Sequence, residues 1–331
     1  MTRIPRALQI VLWPLSVVYG CVVRTKRALY EHEWLKAKRL DGAVISVGNI
    51  STGGTGKTPM VMWLAEKFLA EGKSVAILTR GYKGSNGTSD EVEVMKKRLG
   101  ERVRFGVGAD RYAEGRRLEE EEKVDIFLLD DGFQHLRLAR DVDIVLMDAT
   151  RDWTEEKLLP AGFLREPMSA LECADVVLAT RVSDIDRLKK IGDLQVFPAI
   201  TTATGSRPLR GSDTDEITKL REKGPLFAFC GIGNPKAFFW DLEVRHLPVI
   251  GSRAFADHHK YSVADVERLE SEAKNMGAKG LITTEKDEAN LSGLEFGMPV
   301  WVSVIQLGIL DDDVMLEKIR GMLREKHGAV A

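Results

Sequence analysis

An apolar strand, a glycine-rich bend and a helix follow one another directly here, and no other feature constrains this chain as much. Ala43-Val44-Ile45-Ser46-Val47 is a β-branched, buried-looking run, and Ser51-Thr52-Gly53-Gly54-Thr55-Gly56-Lys57-Thr58 comes just after it. Gly53, Gly54 and Gly56 let backbone N–H groups curl around an anion with no Cβ in the way. In a phosphate-binding loop of this kind Lys57 offers a point charge toward the β and γ phosphates of a nucleotide triphosphate. The Thr58 hydroxyl is placed to ligate Mg²⁺. The helix that follows aims its positive end at the same anion. Ser51 stands where the general pattern has its first glycine, a departure that leaves the mechanics intact.

The rest of the chain alternates in the manner of an α/β fold. After a helix over 59–70, with Met60, Leu64 and Phe68 on one face, come strands near 74–79, 102–107, 124–129, 142–147 and 176–179, separated by helical stretches. This order predicts a P-loop NTPase-like sheet with helices on both faces. Residues 83–89 are rich in Gly, Ser and Asn and read as a loop. At 331 residues the chain is long for one core, so a second, smaller α/β domain is expected. Its strands are placed at 226–230, 280–283 and 300–304, and its helices at 235–242 and 262–276. The expected division is an N-terminal helix (1–28), a P-loop core (29–198), a polar linker (199–224), the second domain (225–308) and a C-terminal helix (309–331), which could pack on either domain.

The strand over 124–129 ends in Asp130 and Asp131. An acid at such a strand end, beside the strand that carries a phosphate loop, meets Mg²⁺ or its water shell. One of the two could merely cap the next turn. Two idle neighbours are disfavoured, because adjacent buried acids repel unless a cation intervenes.

A net charge of −2 argues against a nucleic-acid partner, yet the charge is unevenly spread. Residues 1–40 hold eight Lys or Arg against two acids, a net of +6, which leaves −8 for the remainder. Beside this basic cluster, residues 7–23 carry no ionisable charge and fall short of the ~20 residues that span a bilayer. At helical spacing Arg6, Gln9, Ser16, Gly20, Arg24 and Arg27 share one stripe, with Leu8, Val11, Leu15, Val18 and Val22 opposite. A signal peptide would need a cleavage site that is not evident, and a buried core helix is the plainer alternative. The Arg-bordered amphipathic pattern favours a helix on a membrane surface, near anionic headgroups, with Pro14 kinking it or starting a new helix. Cys21, Cys173 and Cys230 match no ligand spacing and read as reduced, packed thiols.

Asp130-Asp131-Gly132-Phe133-Gln134-His135, running into Leu136-Arg137-Leu138-Ala139-Arg140-Asp141, resembles the signature of the tetraacyldisaccharide 4'-kinase family. Other landmarks follow in that family's order: Val47-Gly48-Asn49-Ile50, Thr79-Arg80-Gly81-Tyr82, Ser89-Asp90-Glu91, Asp110-Arg111, Leu164-Arg165-Glu166-Pro167, Gly231-Ile232-Gly233-Asn234-Pro235, Asp257-His258-His259 and Thr284-Glu285-Lys286-Asp287. The resemblance covers nearly the whole chain. It implies transfer of the ATP γ-phosphoryl group, with Mg²⁺, to the 4'-hydroxyl of an acylated glucosamine disaccharide 1-phosphate in lipid A biosynthesis. It also implies two α/β domains around a cleft, and peripheral attachment through the N-terminal helix to the cytosolic face of the bacterial inner membrane. No nucleic acid or protein partner is implied.

By the same resemblance Asp90 is the catalytic carboxylate and His258, favoured over His259, is its partner; Lys57, Asp130 and Asp131 complete the catalytic set. Thr58, Asp130, Asp131 and Glu166 are candidates for the metal shell. Arg111 and Arg165 are candidates for phosphate contacts, on ATP or on the substrate. Thr284-Glu285-Lys286-Asp287 lacks the asparagine and the spacing of a guanine-reading motif. The rival classes are a P-loop switch or metallochaperone ATPase, which needs no Asp and His on an acceptor hydroxyl, and a kinase for a soluble small molecule.

Overall fold

All seven residues of β1 (Ala43–Asn49) are buried, because parallel strands flank the strand on both edges. The structure, a computed structural model, describes residues 4–81, 90–150, 153, 156–182, 195–211 and 213–327. The expected loop at 83–89 lies outside the described residues. Among them the chain divides into two compact units.

In the unit that contains the phosphate loop, β1 is central. The strand order is β7 (Val196–Pro208), β6 (Val176–Thr180), β5 (Val142–Asp148), β1, β4 (Ile126–Asp130), β2 (Val75–Thr79) and β3 (Val103–Val107), with every neighbouring pair parallel. Buried on both faces, these strands read as continuous Val, Ile and Leu runs rather than as an alternation. The helices α2 (Lys57–Ala70) and α4 (Arg111–Glu121) pack on the sheet, and α8 (Asp312–His327) joins α2 through the Lys67–Asp312 and Arg320–Glu71 ion pairs. Parallel pairing brings the carboxyl ends of the strands to one edge, where ligands bind in open α/β sheets. Asn49, Thr79, Asp130, Asp148 and Thr180 close their strands at that edge.

Among the described residues the other unit comprises 90–98, 201–211 and 213–306. Its strands follow the order β10 (Val249–Ala254), β9 (Leu226–Cys230), β11 (Gly280–Thr284), β12 (Val300–Ile309) and β7. Alternate residues of β9 feed two cores. Leu226, Ala228 and Cys230 pack with Phe238 and Leu242 of α5 (Pro235–Val244), while Phe227 and Phe229 pack with Leu269 and Ala273 of α6 (Val263–Asn275). This is the period-two pattern of a strand covered on both faces.

Several expectations need correction. Much of 199–224 is not a linker, since β7 runs to Pro208, β8 (Asp215–Glu216) pairs with it, and a 3₁₀ helix covers Ile217–Lys223. Its threonines are polar by composition but β-branched by shape, so they suit a half-exposed strand. Strand β10 went unread because Gly251 and Ser252 dilute its apolar pattern. Helix α3 (Asp90–Leu99) contributes residues 90–98 to the second unit, and the C-terminal helix groups with the first. Cys21 and Cys173 are exposed rather than packed; only Cys230 is buried.

The N-terminal helix α1 (Arg6–Glu31) passes through Pro14 as one element, so that proline does not begin a new helix. Its orientation inverts the usual amphipathic arrangement. Only Ser16 and Gly20, both on the polar stripe, are buried, while Leu8, Ile10, Val11, Trp13, Leu15, Val17, Val18 and Val22 face outward. Gly20 is needed for the close approach, since a Cβ there would lie 2.8 Å from Leu158 Cδ1. Length and apolar character alone would let α1 cross a bilayer.

Candidate active site

The loop between β1 and α2 is tied down from several sides. Asn49 Nδ2 donates to Thr55 Oγ1 at 3.0 Å, Thr180 Oγ1 donates to the Thr55 carbonyl at 3.0 Å, and Thr52 N–H donates to the Phe163 carbonyl at 2.8 Å. Gly53 (φ 106°) and Gly56 (φ 91°) occupy the left-handed region that a side chain would oppose. A Cβ on Gly54 would meet nothing within 4 Å, so that side of the loop is open. Ser51 is buried, does not have a positive φ and pairs with Leu164 in an antiparallel bridge, which explains why no glycine is required there. Lys57 and Thr58 begin α2, so free helix N–H groups converge on the loop.

Opposite Lys57 stand the acids of the neighbouring strand. Asp130 is paired in register with Val47, is buried and accepts a hydrogen bond from Thr79 Oγ1 at 3.1 Å. Asp131 turns out of the strand with φ 50°. Lys57 Nζ lies 3.3 Å from its Oδ1, and Arg165 Nη1 donates to Oδ2 at 3.0 Å. Burial pushes the Asp131 carboxyl up, but Lys57 and Arg165 outweigh it and hold it below the usual range.

Glu166 is 3% exposed, and its Oε2 accepts from Arg27 Nη2 at 2.5 Å. Its carboxylate is therefore already partnered, unlike that of a free metal ligand. Arg111 is also buried; it donates from Nη1 to the Ala109 carbonyl, while its Nε has no partner among the described residues. Asp130 and Asp131 lie within its electrostatic reach. His135 Nε2 is likewise buried and unpartnered, and burial, with Arg111, Lys26 and Arg140, pulls its pKa down to about 4. An orphaned guanidinium donor within electrostatic reach of Asp130 and Asp131 suits an incoming polyanion. Thr58, Asp130 and Asp131 present hard oxygen donors that suit Mg²⁺, which takes one or two carboxylates and completes its shell with phosphate and water. Among the described residues no cluster of three or more His, Cys, Asp or Glu forms a dedicated metal cage.

The remaining predicted residues meet in the other unit. Asp90 opens α3, and its Oδ2 lies 3.0 Å from His258 Nδ1. His259 turns elsewhere: its Nε2 lies 3.2 Å from Asp265 Oδ2 and its ring stacks on Phe255. Asn290 Nδ2 also donates to Asp90 Oδ2, at 3.1 Å. Lys286 Nζ lies 3.4 Å from His258 Nε2, 3.1 Å from Glu91 Oε1 and 3.6 Å from Asp257 Oδ1. Burial pushes the Glu91 carboxyl up, but Lys286 outweighs it and keeps it low.

The motif at 284–287 builds this corner. Thr284 caps α7 (Glu285–Asn290), and Asp287 accepts hydrogen bonds from Gly231 N–H, Tyr261 Oη and Thr284 Oγ1. Burial raises the Asp287 carboxyl against those donors. This latch fixes the loop at Gly231, whose carbonyl in turn accepts from His258 N–H. Asn290 was not singled out from the sequence, and Lys286 and Asn49 were quoted there only within motifs, with no role of their own. For Lys286, its place inside a threonine-capped turn was the available signal.

Helix α1 reaches the phosphate-loop unit through its polar stripe. Ser16 Oγ donates to the Leu158 carbonyl and accepts from Ala161 N–H, both at 2.9 Å. Tyr19 Oη donates to the Arg165 carbonyl at 2.9 Å, and Arg27 stacks over Phe133 as well as pairing with Glu166. Arg27 thus serves the protein interior, a correction to its expected place among lipid headgroups.

Comparison with known proteins places this geometry in context. The profile of the tetraacyldisaccharide-1-P 4'-kinase family matches residues 8–324. A tetraacyldisaccharide 4'-kinase of Koribacter versatilis is 36% identical over 95% of this chain and 99% of its own length. One from Halothermothrix orenii is 36% identical over 87% of this chain and 85% of its own length. Among solved structures, LpxK of Aquifex aeolicus in complex with ATP superposes with a TM-score of 0.77 at 28% identity, covering 95% of this chain and 99% of that one.

Proposed function

This chain belongs to the tetraacyldisaccharide-1-P 4'-kinase family, and from that premise we propose the roles its own residues take. It is an ATP- and Mg²⁺-dependent kinase that transfers the γ-phosphoryl group to the 4'-hydroxyl of a tetraacylated glucosamine disaccharide 1-phosphate in lipid A biosynthesis. When bound, Mg²⁺ and ATP supply the phosphoryl group and a cation on its oxygens.

Residues 51–58 cradle the phosphates, and Lys57 neutralises charge as it leaves Asp131 for them. The observation that carries this reading is the Lys57–Asp131–Arg165 cluster at the mouth of the loop. Paired cations there are preorganised for a developing polyanion and need not be gathered during the reaction. Thr58, Asp130 and Asp131 would hold Mg²⁺, which would supply positive charge to the phosphates, while Glu166 acts by holding Arg27. Arg111 meets a phosphate through its orphaned Nε. Asp90 accepts the proton of the 4'-hydroxyl late in transfer, with His258 at its other oxygen.

The protein associates peripherally with a membrane, and we assign that contact to the outward face of α1. Moving a large apolar side chain out of water contributes about 1.5–3 kcal/mol. Leu8, Val11, Leu15, Val18 and Val22 share one exposed face, with Ile10, Trp13 and Val17 exposed on the flank, so burying them in lipid outweighs the loss of hydration. Exposed Arg6, Arg24, Lys26 and Lys36 add attraction to anionic lipid, which supports a seat on the cytosolic leaflet, where ATP is available. The decisive test supplies ATP with and without acylated disaccharide 1-phosphate. Phosphate on the sugar is expected, and hydrolysis indifferent to lipid would instead support a switch ATPase.

A further inference from the structure

Asp90 opens α3, and among the described residues side chains occupy only one of its two oxygens. His258 Nδ1 and Asn290 Nδ2 both approach Oδ2, at 3.0 and 3.1 Å. A carboxylate oxygen has two lone-pair directions, and two N–H donors fill them. Oδ1 is then the oxygen left for an acceptor hydroxyl.

This arrangement requires His258 to carry its hydrogen on Nδ1. Lys286 Nζ, 3.4 Å from Nε2, supplies the reason. An ammonium group has three donors and no lone pair, so it can sit there favourably only if Nε2 is the bare nitrogen. Lys286 is itself pinned between Glu91 Oε1 at 3.1 Å and Asp257 Oδ1 at 3.6 Å. The charged and titratable groups facing the ring are therefore Asp90, Glu91, Asp257 and Lys286. The competing state, a proton on Nε2 directed at Asp257, would need a contact now 3.9 Å long beside the cation of Lys286.

We propose that Lys286 and Asn290 are positioning residues: Lys286 fixes His258 as the neutral Nδ1–H tautomer, and with Asn290 this commits Asp90 Oδ2 to two donors, so that Oδ1 alone receives the proton of the attacking hydroxyl. The proposal rests on the reading of Asp90 as the base. In the step itself the 4'-O–H bond breaks and its proton passes to Oδ1. The oxygen forms its bond to the γ-phosphorus, and ADP departs with the electron pair of the broken P–O bond. His258 gains no proton; it orients the carboxylate, as a hydrogen-bonded partner orients a catalytic group elsewhere.

The test uses full-length protein in vesicles, with ¹⁵N-labelled histidine and steady-state kinetics. In the unaltered enzyme His258 is expected to show a protonated Nδ1 and a bare Nε2. Lys286→Met should mix the two tautomers and lower kcat by about 10- to 100-fold, a fraction of the ~10²–10⁴ that a general base contributes. KM for ATP and lipid should stay within about twofold, as for an interaction made in the transition state. Lys286→Arg should restore the tautomer and most of kcat.

Asn290→Leu offers a second route should Lys286→Met fail to fold. It removes one donor from Oδ2 and should lower kcat several-fold at unchanged KM. An unaltered tautomer and kcat in Lys286→Met, or unchanged kcat in Asn290→Leu, would overturn the proposal while leaving Asp90 as the base. Asp90→Ala separates the two: if it keeps more than about a tenth of wild-type turnover, the underlying reading of the base has failed.

Discussion

Arg27, on the N-terminal helix α1, and Glu166, next to Arg165, form an ion pair 2.5 Å long with side chains 13% and 3% exposed. Burial pulls the Arg27 guanidinium down, but Glu166 outweighs it and the cation is held more firmly than usual. Removing one member leaves the other charged and buried, which costs about 3–5 kcal/mol. Arg27→Met should therefore lower the melting temperature sharply, whereas Arg27→Met with Glu166→Gln should recover much of the loss. Thermal melts of both variants measure the coupling; equal destabilisation by single and double variants would deny it.

Lys57→Ala should abolish turnover, by roughly 10²–10³-fold or more, through loss of charge neutralisation at the phosphates. Lys57 is 16% exposed, but Asp131 is 39% exposed and keeps Arg165 as a second cation, so stability should change little. Circular dichroism together with a phosphoryl-transfer assay checks both halves of this statement.

Val11→Asp and Val18→Asp introduce charge at outward positions of α1 that touch no core. Both variants should keep their fold and their activity toward a detergent-dispersed acceptor, yet leave anionic vesicles in a flotation assay. Continued cosedimentation of the double variant would place the membrane contact elsewhere.

Asp141 lies buried and accepts hydrogen bonds from Val44 N–H at 2.8 Å and from Arg39 at 2.7 Å. Burial pushes its carboxyl up, but these donors and His327 outweigh it, so the folded-state pKa is depressed. A depressed carboxyl contributes stability that is complete above its unfolded value, about 3.9, and is lost as pH falls through the lower folded value. Asp141→Asn should thus be less stable than the parent at pH 7, with the gap closing toward pH 2. Denaturant unfolding at both pH values tests the sign.

The phosphate loop and the acid-tipped strand were legible because each depends on neighbours in sequence: β-branched runs, glycines at fixed offsets and a carboxylate at a strand end. The course of β7 was hidden because its threonines look polar in composition and strand-like only in shape. Helix α1 was legible as an amphipathic rod, but which face would meet the protein was not. That depended on the Leu158 and Ala161 backbone groups waiting for Ser16, more than a hundred residues away. Likewise Asp90, His258, Lys286 and Asn290 are scattered along the chain, and only the fold brings them to one corner.

Because α1 is riveted by hydroxyl and guanidinium to the stretch that also presents Arg165 and braces Thr52, the anchor we propose and the catalyst share a single beam. Trimming the anchor to obtain a freely soluble enzyme would strip partners from Glu166, Ala161 and the Arg165 carbonyl at the same stroke. A truncated protein with poor activity would then report a damaged catalyst, and its deficit would be no measure of what the bilayer contributes.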